Sequence, residues 1–132
     1  MTDVATLVHR FYDDLWNAWD DDAVEATLHP DLRFRGSLGQ ETLGVSAWRS
    51  YRDGVRRASS DFRNEVVDLV VEGERAAARL VWSGTHDGTL LGVPASGRRF
   101  SYPGAAFFTV RDGLLADIWV VGDLAALRDQ LS

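Results

Sequence analysis

The sequence predicts an α+β fold in which amino-terminal helices pack on a curved antiparallel or mixed sheet and enclose a pocket. Two observations predict this class. The first 58 residues carry helical patterns, whereas almost everything after residue 61 alternates with the period of β-strands. Two short turns that contain glycine, Glu72-Gly73-Glu74 and Asp112-Gly113, divide the second part into paired strands. No repeat or linker interrupts the pattern, so residues 1–132 are expected to form a single domain.

Three helices are expected before the sheet. Apolar residues line one face from Val4 to Trp19, and Thr2 or Asp3 can cap that helix. A short second helix is expected from Asp22 to Leu28, ending before His29-Pro30. A third is expected from Val45 to Ala58.

The strands follow from alternation and turns. A short strand is expected from Leu32 to Gly36, followed by a loop from Ser37 to Leu43. The long strands are expected at Phe62–Val71, Arg75–His86, Arg99–Val110 and Leu114–Val121, and Asp123 opens a terminal helix that runs to Leu131. Pro103-Gly104 interrupts the third long strand, which predicts a bulge that curves the sheet and leaves a cavity on its concave side.

Composition excludes several classes of function. The 132 residues carry a net charge of −6, which disfavours nucleic acid as a partner. Arg49, Arg52, Arg56 and Arg57 have the spacing of the solvated side of a helix, an interpretation that we favour over the alternative of an anion site. No signal peptide and no apolar run of roughly 20 residues is apparent, so no membrane partner and a cytoplasmic location are expected. The chain has no cysteine, and its three histidines lack a metal-ligand spacing, so no metal is expected.

Alternation predicts which strand residues face the cavity. Even-numbered residues of the second long strand, including Trp82 and His86, form its inner face. In the last strand, an inner set that includes Asp117 and Trp119 is expected to lead to Asp123. Aromatic side chains are expected to line the site, and they are Trp16, Trp19, Phe34, Trp48, Tyr51, Trp82, Tyr102 and Trp119. Such a pocket suits a flat, largely apolar small molecule.

Each candidate also has a structural interpretation. The tryptophans can simply belong to the core, and His86 can be a hydrogen-bonded structural residue. Asp123 is well placed to cap the terminal helix, Asp117 can lie on an edge, and His29 can be a helix-end residue.

The segment WSGTHDGTLLGVPASGRRFSY resembles the strand, loop and strand of SnoaL-like polyketide cyclases, and LLADIWVVGDLAALRDQL resembles their closing strand and helix. HPDLRFRG and DFRNEVVDLVVEGERAAARL are similar to the family as well. The resemblance implies the nuclear transport factor 2-like cone, assembly as a homodimer or homotetramer, and ring closure in antibiotic polyketide biosynthesis by aldol chemistry without a metal or cofactor. The family histidine falls on His86.

The sequence departs from the family pattern at one place. The family cyclases use an aspartate after the loop, but no Asp or Glu occurs between Gly88 and Val110, where Tyr102, Pro103 or Gly104 takes that position. The leading hypothesis is a cofactor-independent cyclase or isomerase of polyketide-like or polycyclic molecules, with His86, Asp123 and Asp117 as acid–base residues. The alternatives are a non-catalytic small-molecule-binding protein and a relative of the hydroxylase or hydrolase type that uses a bound water.

Overall fold

The computed structural model describes residues 2–132. Within this range lie three α-helices: α1 (Val4–Arg10), α2 (Val45–Ala58) and α3 (Leu124–Gln130). The same range holds six strands: β1 (Leu28–Arg35), β2 (Glu41–Leu43), β3 (Arg63–Glu72), β4 (Arg75–Thr85), β5 (Arg99–Arg111) and β6 (Leu114–Gly122). They form one sheet in the order β2-β1-β6-β5-β4-β3, with β1 parallel to β6 and the other pairs antiparallel. The predicted α+β class, with helices packed on a curved mixed sheet, is confirmed.

The first helix is not a single regular α-helix. Asp3 caps α1 by accepting the backbone N–H of Thr6 at 2.8 Å. The chain then continues as a π-helical segment, Phe11–Asn17, with wider i→i+5 turns. Trp16 is buried in this segment, whereas Ala18, which the apolar stripe placed inward, is exposed. The π-helical turns therefore bring a tryptophan against the inside of the fold.

Two predicted segments between the first helix and α2 were wrong. The expected helix from Asp22 to Leu28 is a single 3-10 turn, Asp21–Ala23, and β1 already begins at Leu28. His29 is consequently a strand residue, whose Nε2 lies 3.0 Å from a carboxylate oxygen of Asp112. The expected loop from Ser37 to Leu43 contains the short strand β2.

The expected bulge at Pro103-Gly104 was also wrong. Both residues pair in continuous register with β4, Pro103 opposite Val81 and Gly104 opposite Leu80. Gly104 is needed for close packing, because a Cβ there would lie 2.2 Å from the Trp82 ring. The pairing of β5 with β6 is irregular instead at Thr109 and Val110.

One extra residue in β6 reverses its predicted facing. Thr109 pairs with Asp117 while Val110 pairs with Leu115, so Ala116 is left without a partner in the register. Leu115 and Ala116 are therefore buried in succession. Beyond them Ile118 and Val120 face inward and are buried, whereas Trp119 is 43% exposed. Asp117 and Trp119 thus lie on the outer face, opposite to the prediction.

The basic face predicted for α2 is only partly solvated. Arg52 has 1% of its surface exposed, although Arg56 and Arg57 are exposed as expected. The Arg52 guanidinium donates to the Leu15 carbonyl at 3.0 Å and to Asp21 at 2.8 Å. These two bonds satisfy a buried charge and tie α2 to the end of the first helix.

None of the helices formed by residues 2–132 combines the length and apolar character that crossing a bilayer requires.

Candidate functional site

A cavity lies between the π-helical segment, α2 and the inner face of the sheet. Its volume is about 500 Å³, including the space at its open mouth. Phe11, Trp16, Phe34, Tyr51, Trp82, Phe100 and Tyr102 supply its aromatic walls. Aromatic walls of this kind suit a flat apolar molecule.

Three hydroxyl groups form a polar cluster in this otherwise aromatic space. Ser37 Oγ lies 3.2 Å from the Tyr102 hydroxyl, and the Tyr51 hydroxyl accepts the backbone N–H of Leu38 at 3.4 Å. Burial raises the pKa of Tyr51, although hydrogen bonds from Leu38 and Ser37 and the charge of Arg35 act in the opposite direction. Burial also raises the pKa of Tyr102. Both phenols therefore stay protonated at neutral pH and can donate hydrogen bonds.

The floor of the cavity is held by a buried amide network. The Trp82 indole donates to Asn64 Oδ1 at 2.8 Å, and Asn17 Oδ1 accepts both the backbone N–H and the side-chain amide of Asn64, at 2.9 and 3.3 Å. Asn17 in turn donates to the Asn64 carbonyl at 2.8 Å. The network joins the end of the π-helical segment to β3 and β4, so it fixes the Trp82 ring against the cavity.

One carboxylate is hydrogen-bonded to a residue of the cavity lining. Ser59 lines the cavity, and its hydroxyl donates to Asp61 at 3.2 Å. Partial burial works against ionisation of Asp61, but hydrogen bonds from Thr85 and Ser59 and the charge of Arg99 hold the pKa of this carboxyl below its usual value. Asp61 itself lies outside the lining, next to the surface.

His86 is fully buried, but it is not part of the cavity lining. Its Nε2 donates to the Val93 carbonyl at 3.0 Å, so Nδ1 is the acceptor that receives the backbone N–H of Ser96 at 3.2 Å. The Ser96 hydroxyl lies 2.8 Å from the same Nδ1. Both ring nitrogens are thus engaged by the loop that follows β4. Its predicted acid–base role stays a prediction.

The other predicted acids lie away from the cavity. Asp123 accepts the backbone N–H of Ala126 at 3.0 Å, which is the helix cap weighed as its alternative. Asp117 lies on the outer face of β6, in a groove that also contains Trp119 and Phe107. Within residues 2–132, no three His, Asp or Glu side chains gather in a way that could hold a metal ion.

The predicted aromatic residues divide into two groups. Trp16, Phe34, Tyr51, Trp82 and Tyr102 line the cavity. Trp48 is fully buried against Phe11, with ring centroids 5.6 Å apart, and belongs to the core. Trp19 lies in a neighbouring groove. Trp119 lies on the outer face of the sheet, where the Arg35 guanidinium is 4.9 Å from the centroid of the Trp119 ring. These three are not cavity residues.

Sequence reasoning missed several lining residues. They include Tyr12, Ser37, Leu38, Ser59, Phe62 and Asn64. Asn64 carried a usable signal, because it is a polar residue at an inward position of a strand. Ser37 and Ser59 carried none, since both lie in short connections whose direction alternation does not define.

Known proteins resemble this chain in sequence and in structure. A family model described as SnoaL-like polyketide cyclase matches residues 6–131. TsrD from Streptomyces laurentii is 34% identical with a TM-score of 0.86, and the match covers 100% of this chain and 98% of TsrD. A candidate SnoaL-like polyketide cyclase from Jannaschia sp. CCS1 is 25% identical with a TM-score of 0.87, covering 100% and 96%.

A third neighbour has a different name. AclR from Streptomyces galilaeus, a candidate hydroxylase, is 25% identical with a TM-score of 0.80, covering 96% of this chain and 83% of AclR. No protein of curated function matches the sequence significantly.

Proposed function

Because this chain belongs to the SnoaL-like polyketide cyclase family, we propose that it is a cofactor-independent cyclase or isomerase of a flat, polyketide-like or polycyclic molecule. The observation that carries the proposal is the hydroxyl cluster of Tyr51, Tyr102 and Ser37 inside an aromatic cavity. A carbonyl oxygen of the bound molecule would accept hydrogen bonds from the two phenols.

The two phenols would lower the barrier to enolate formation. Removing a proton next to a carbonyl places negative charge on the oxygen, and donors fixed around that oxygen stabilise the charge. Tyr51 and Tyr102 are 8% and 2% exposed, so their hydrogen bonds would act with little competition from water. Ring closure by aldol chemistry and double-bond isomerisation both pass through this charge.

The second group that the reaction needs is a proton acceptor, and the cavity supplies it less directly than it supplies the phenol donors. Among residues 2–132, none of those lining the cavity is Asp, Glu or His. Ser59 offers an indirect route: its oxygen takes the substrate proton while its own hydroxyl proton moves to Asp61 along their 3.2 Å hydrogen bond. Since the lowered pKa of Asp61 makes it a weak base, the phenols would contribute most of the acceleration.

A second candidate function is non-catalytic binding of the same class of molecule. The observation that favours it is the one just given, the lack of a carboxylate or imidazole among the described lining residues. A binding protein needs the aromatic walls and the phenol donors but no proton acceptor.

The two functions can be separated with 2-tetralone, a flat bicyclic ketone. Its α-hydrogens exchange in heavy water when the enolate forms, and the exchange is followed by NMR. We expect the wild-type protein to accelerate the exchange, and Tyr102→Phe to lose about a hundredfold of that acceleration. Tyr12→Phe is the matched control, because Tyr12 lines the same cavity but makes none of the cluster's hydrogen bonds.

Three results would change the assignment. Quenching of tryptophan fluorescence by 2-tetralone without any accelerated exchange would show binding alone. Full activity in Tyr102→Phe together with its loss in His86→Gln would return the chemistry to the histidine. Hydration or hydroxylation of the probe would point to water-dependent chemistry instead.

A further inference from the structure

A second concave space adjoins the cavity on one side of α2. It is lined by Trp16, Asn17, Trp19, Arg52, Val55, Arg56, Ser60, Asp61, Phe62 and Arg63, and we call it the arginine groove. Trp16, Val55 and Phe62 line both spaces. The two spaces therefore share a wall, and a ligand that occupied both would lie along these three side chains. The groove has a volume of about 560 Å³ and the cavity a volume of about 500 Å³, both including the space at their open mouths.

The groove contains Trp19, whose ring contacts two guanidinium groups. Arg52 lies 3.8 Å and Arg56 lies 4.2 Å from the Trp19 ring. Trp19 has a backbone φ of +58°, a conformation that bulky residues seldom adopt without support. Arg52 supplies the support, because it is buried and anchored to the Leu15 carbonyl and to Asp21. Arg52 is thus held in place, and Arg56 contacts the ring that Arg52 supports.

The charges in the groove do not balance. Asp21 pairs with Arg52 at 2.8 Å, and Asp61 pairs with Arg99 at 2.8 Å. Within the described range, 2–132, neither Arg56 nor Arg63 forms an ion pair. Two positive charges therefore remain beside an apolar cavity, in a protein whose net charge is −6.

We propose that the arginine groove binds an oxyanion, a carboxylate or a phosphate, carried by the molecule whose apolar body occupies the cavity. Guanidinium groups match both anions through paired hydrogen bonds, and contact with the Trp19 ring limits the movement of Arg56. The inference rests on the proposed function in one respect, that the ligand body lies in the cavity. It adds that the ligand is amphipathic, with its acidic end at Arg56 and Arg63.

The test compares three probes with one apolar body: 4-(2-naphthyl)butanoate, its primary amide, and 3-(2-naphthyl)propyl phosphate. Binding is measured by tryptophan fluorescence at low and at high salt. We expect the wild-type protein to bind the carboxylate about fivefold to tenfold more tightly than the amide, with the preference falling as salt rises. If the phosphate binds at least about fivefold more tightly than the carboxylate, the natural anion is a phosphoryl group. If the phosphate and the carboxylate bind with equal affinity, the natural anion is a carboxylate.

Two variants and one matched control locate the effect. Arg56→Gln and Arg63→Gln should each remove most of the preference for the anion and leave the affinity for the amide unchanged. Arg57→Gln should change neither, because Arg57 lines a different groove, on the side of α2 that faces Leu91. Thermal melts confirm that each variant is folded.

The outcomes separate this inference from the proposed function. Equal binding of the amide and both anions by the wild-type protein would overturn the anion site while leaving the cavity as a binding site. A preference that survives in Arg56→Gln and Arg63→Gln would overturn it as well. Binding of none of the probes would overturn both proposals.

Discussion

The hydrogen bond between Trp82 and Asn64 gives a quantitative test of how the cavity is held open. The two residues are 3% exposed each, and the indole N–H donates to Asn64 Oδ1 at 2.8 Å. Asn64→Ala leaves that buried donor without a partner, which costs about 1–3 kcal/mol. It also removes the bond from the Asn64 amide to Asn17, worth about 1 kcal/mol. The free energy of unfolding should therefore fall by about 2–4 kcal/mol.

A double-mutant cycle isolates the contribution of the Trp82–Asn64 hydrogen bond to the free energy of unfolding. Trp82→Phe removes the donor, so in that background Asn64→Ala no longer strands an N–H group, and it should cost about 1–3 kcal/mol less. The assay is urea unfolding of the wild-type protein, the two single variants and the double variant, followed by circular dichroism. A coupling free energy below about 0.5 kcal/mol would refute the reasoning, since independent sites differ from additivity by no more than this.

Three further predictions concern the surface, the sheet and acid stability. The outer face of the sheet exposes Phe107 and Trp119 by 47% and 43%, so we expect a homodimer or homotetramer that covers it. Trp119→Glu should then give a monomer in light scattering, and a wild-type mass of one chain would contradict this. Gly104→Ala should lower the free energy of unfolding by about 1–3 kcal/mol, because its Cβ would meet the Trp82 ring; unchanged urea unfolding would count against that close packing. The stabilising effect of Asp61 should be present above about pH 4 and disappear as the pH falls through its lowered folded-state pKa. The free energies of unfolding of the wild type and Asp61→Asn should therefore differ at pH 7 and converge in acid, and a difference that stays constant with pH would disprove the linkage.

The hydrophobic pattern of the sequence was sufficient to predict the elements that keep one period, helical or strand-like, along their whole length. The bounds of α2, Val45–Ala58, agree with the prediction, because an unbroken helical stripe follows Gly44 and ends before Ser59-Ser60. The even-numbered residues of β4 face inward as predicted, since β4 and β5 pair without a shift of register. The single domain expected from the sequence stays a prediction.

The candidate site was predicted less well, for reasons that lie in tertiary contacts. Ala116 has no feature that marks it as the extra residue of β6, so the facing of Asp117 and Trp119 was assigned in reverse. The inward position of His86 was predicted, but its partners, Val93 and Ser96, come from a loop without periodicity. A sequence pattern also cannot show which buried ring borders empty space. Trp48 was for that reason assigned to the pocket, although it is a core residue.

The extra residue in β6 shows that the lining of the cavity is set by the pairing of β6 with β5, and not by the count of residues along the chain. Val110 pairs with Leu115 and Thr109 with Asp117, so a deletion of Ala116 would remove the irregularity and leave these pairings unchanged. Cross-strand partners share a face of the sheet, so Asp117 and Trp119 would still face outward and Ile118 and Val120 would still face inward. A shortening of the chain by one residue at this position is therefore a change of length that adds no acidic group to the cavity.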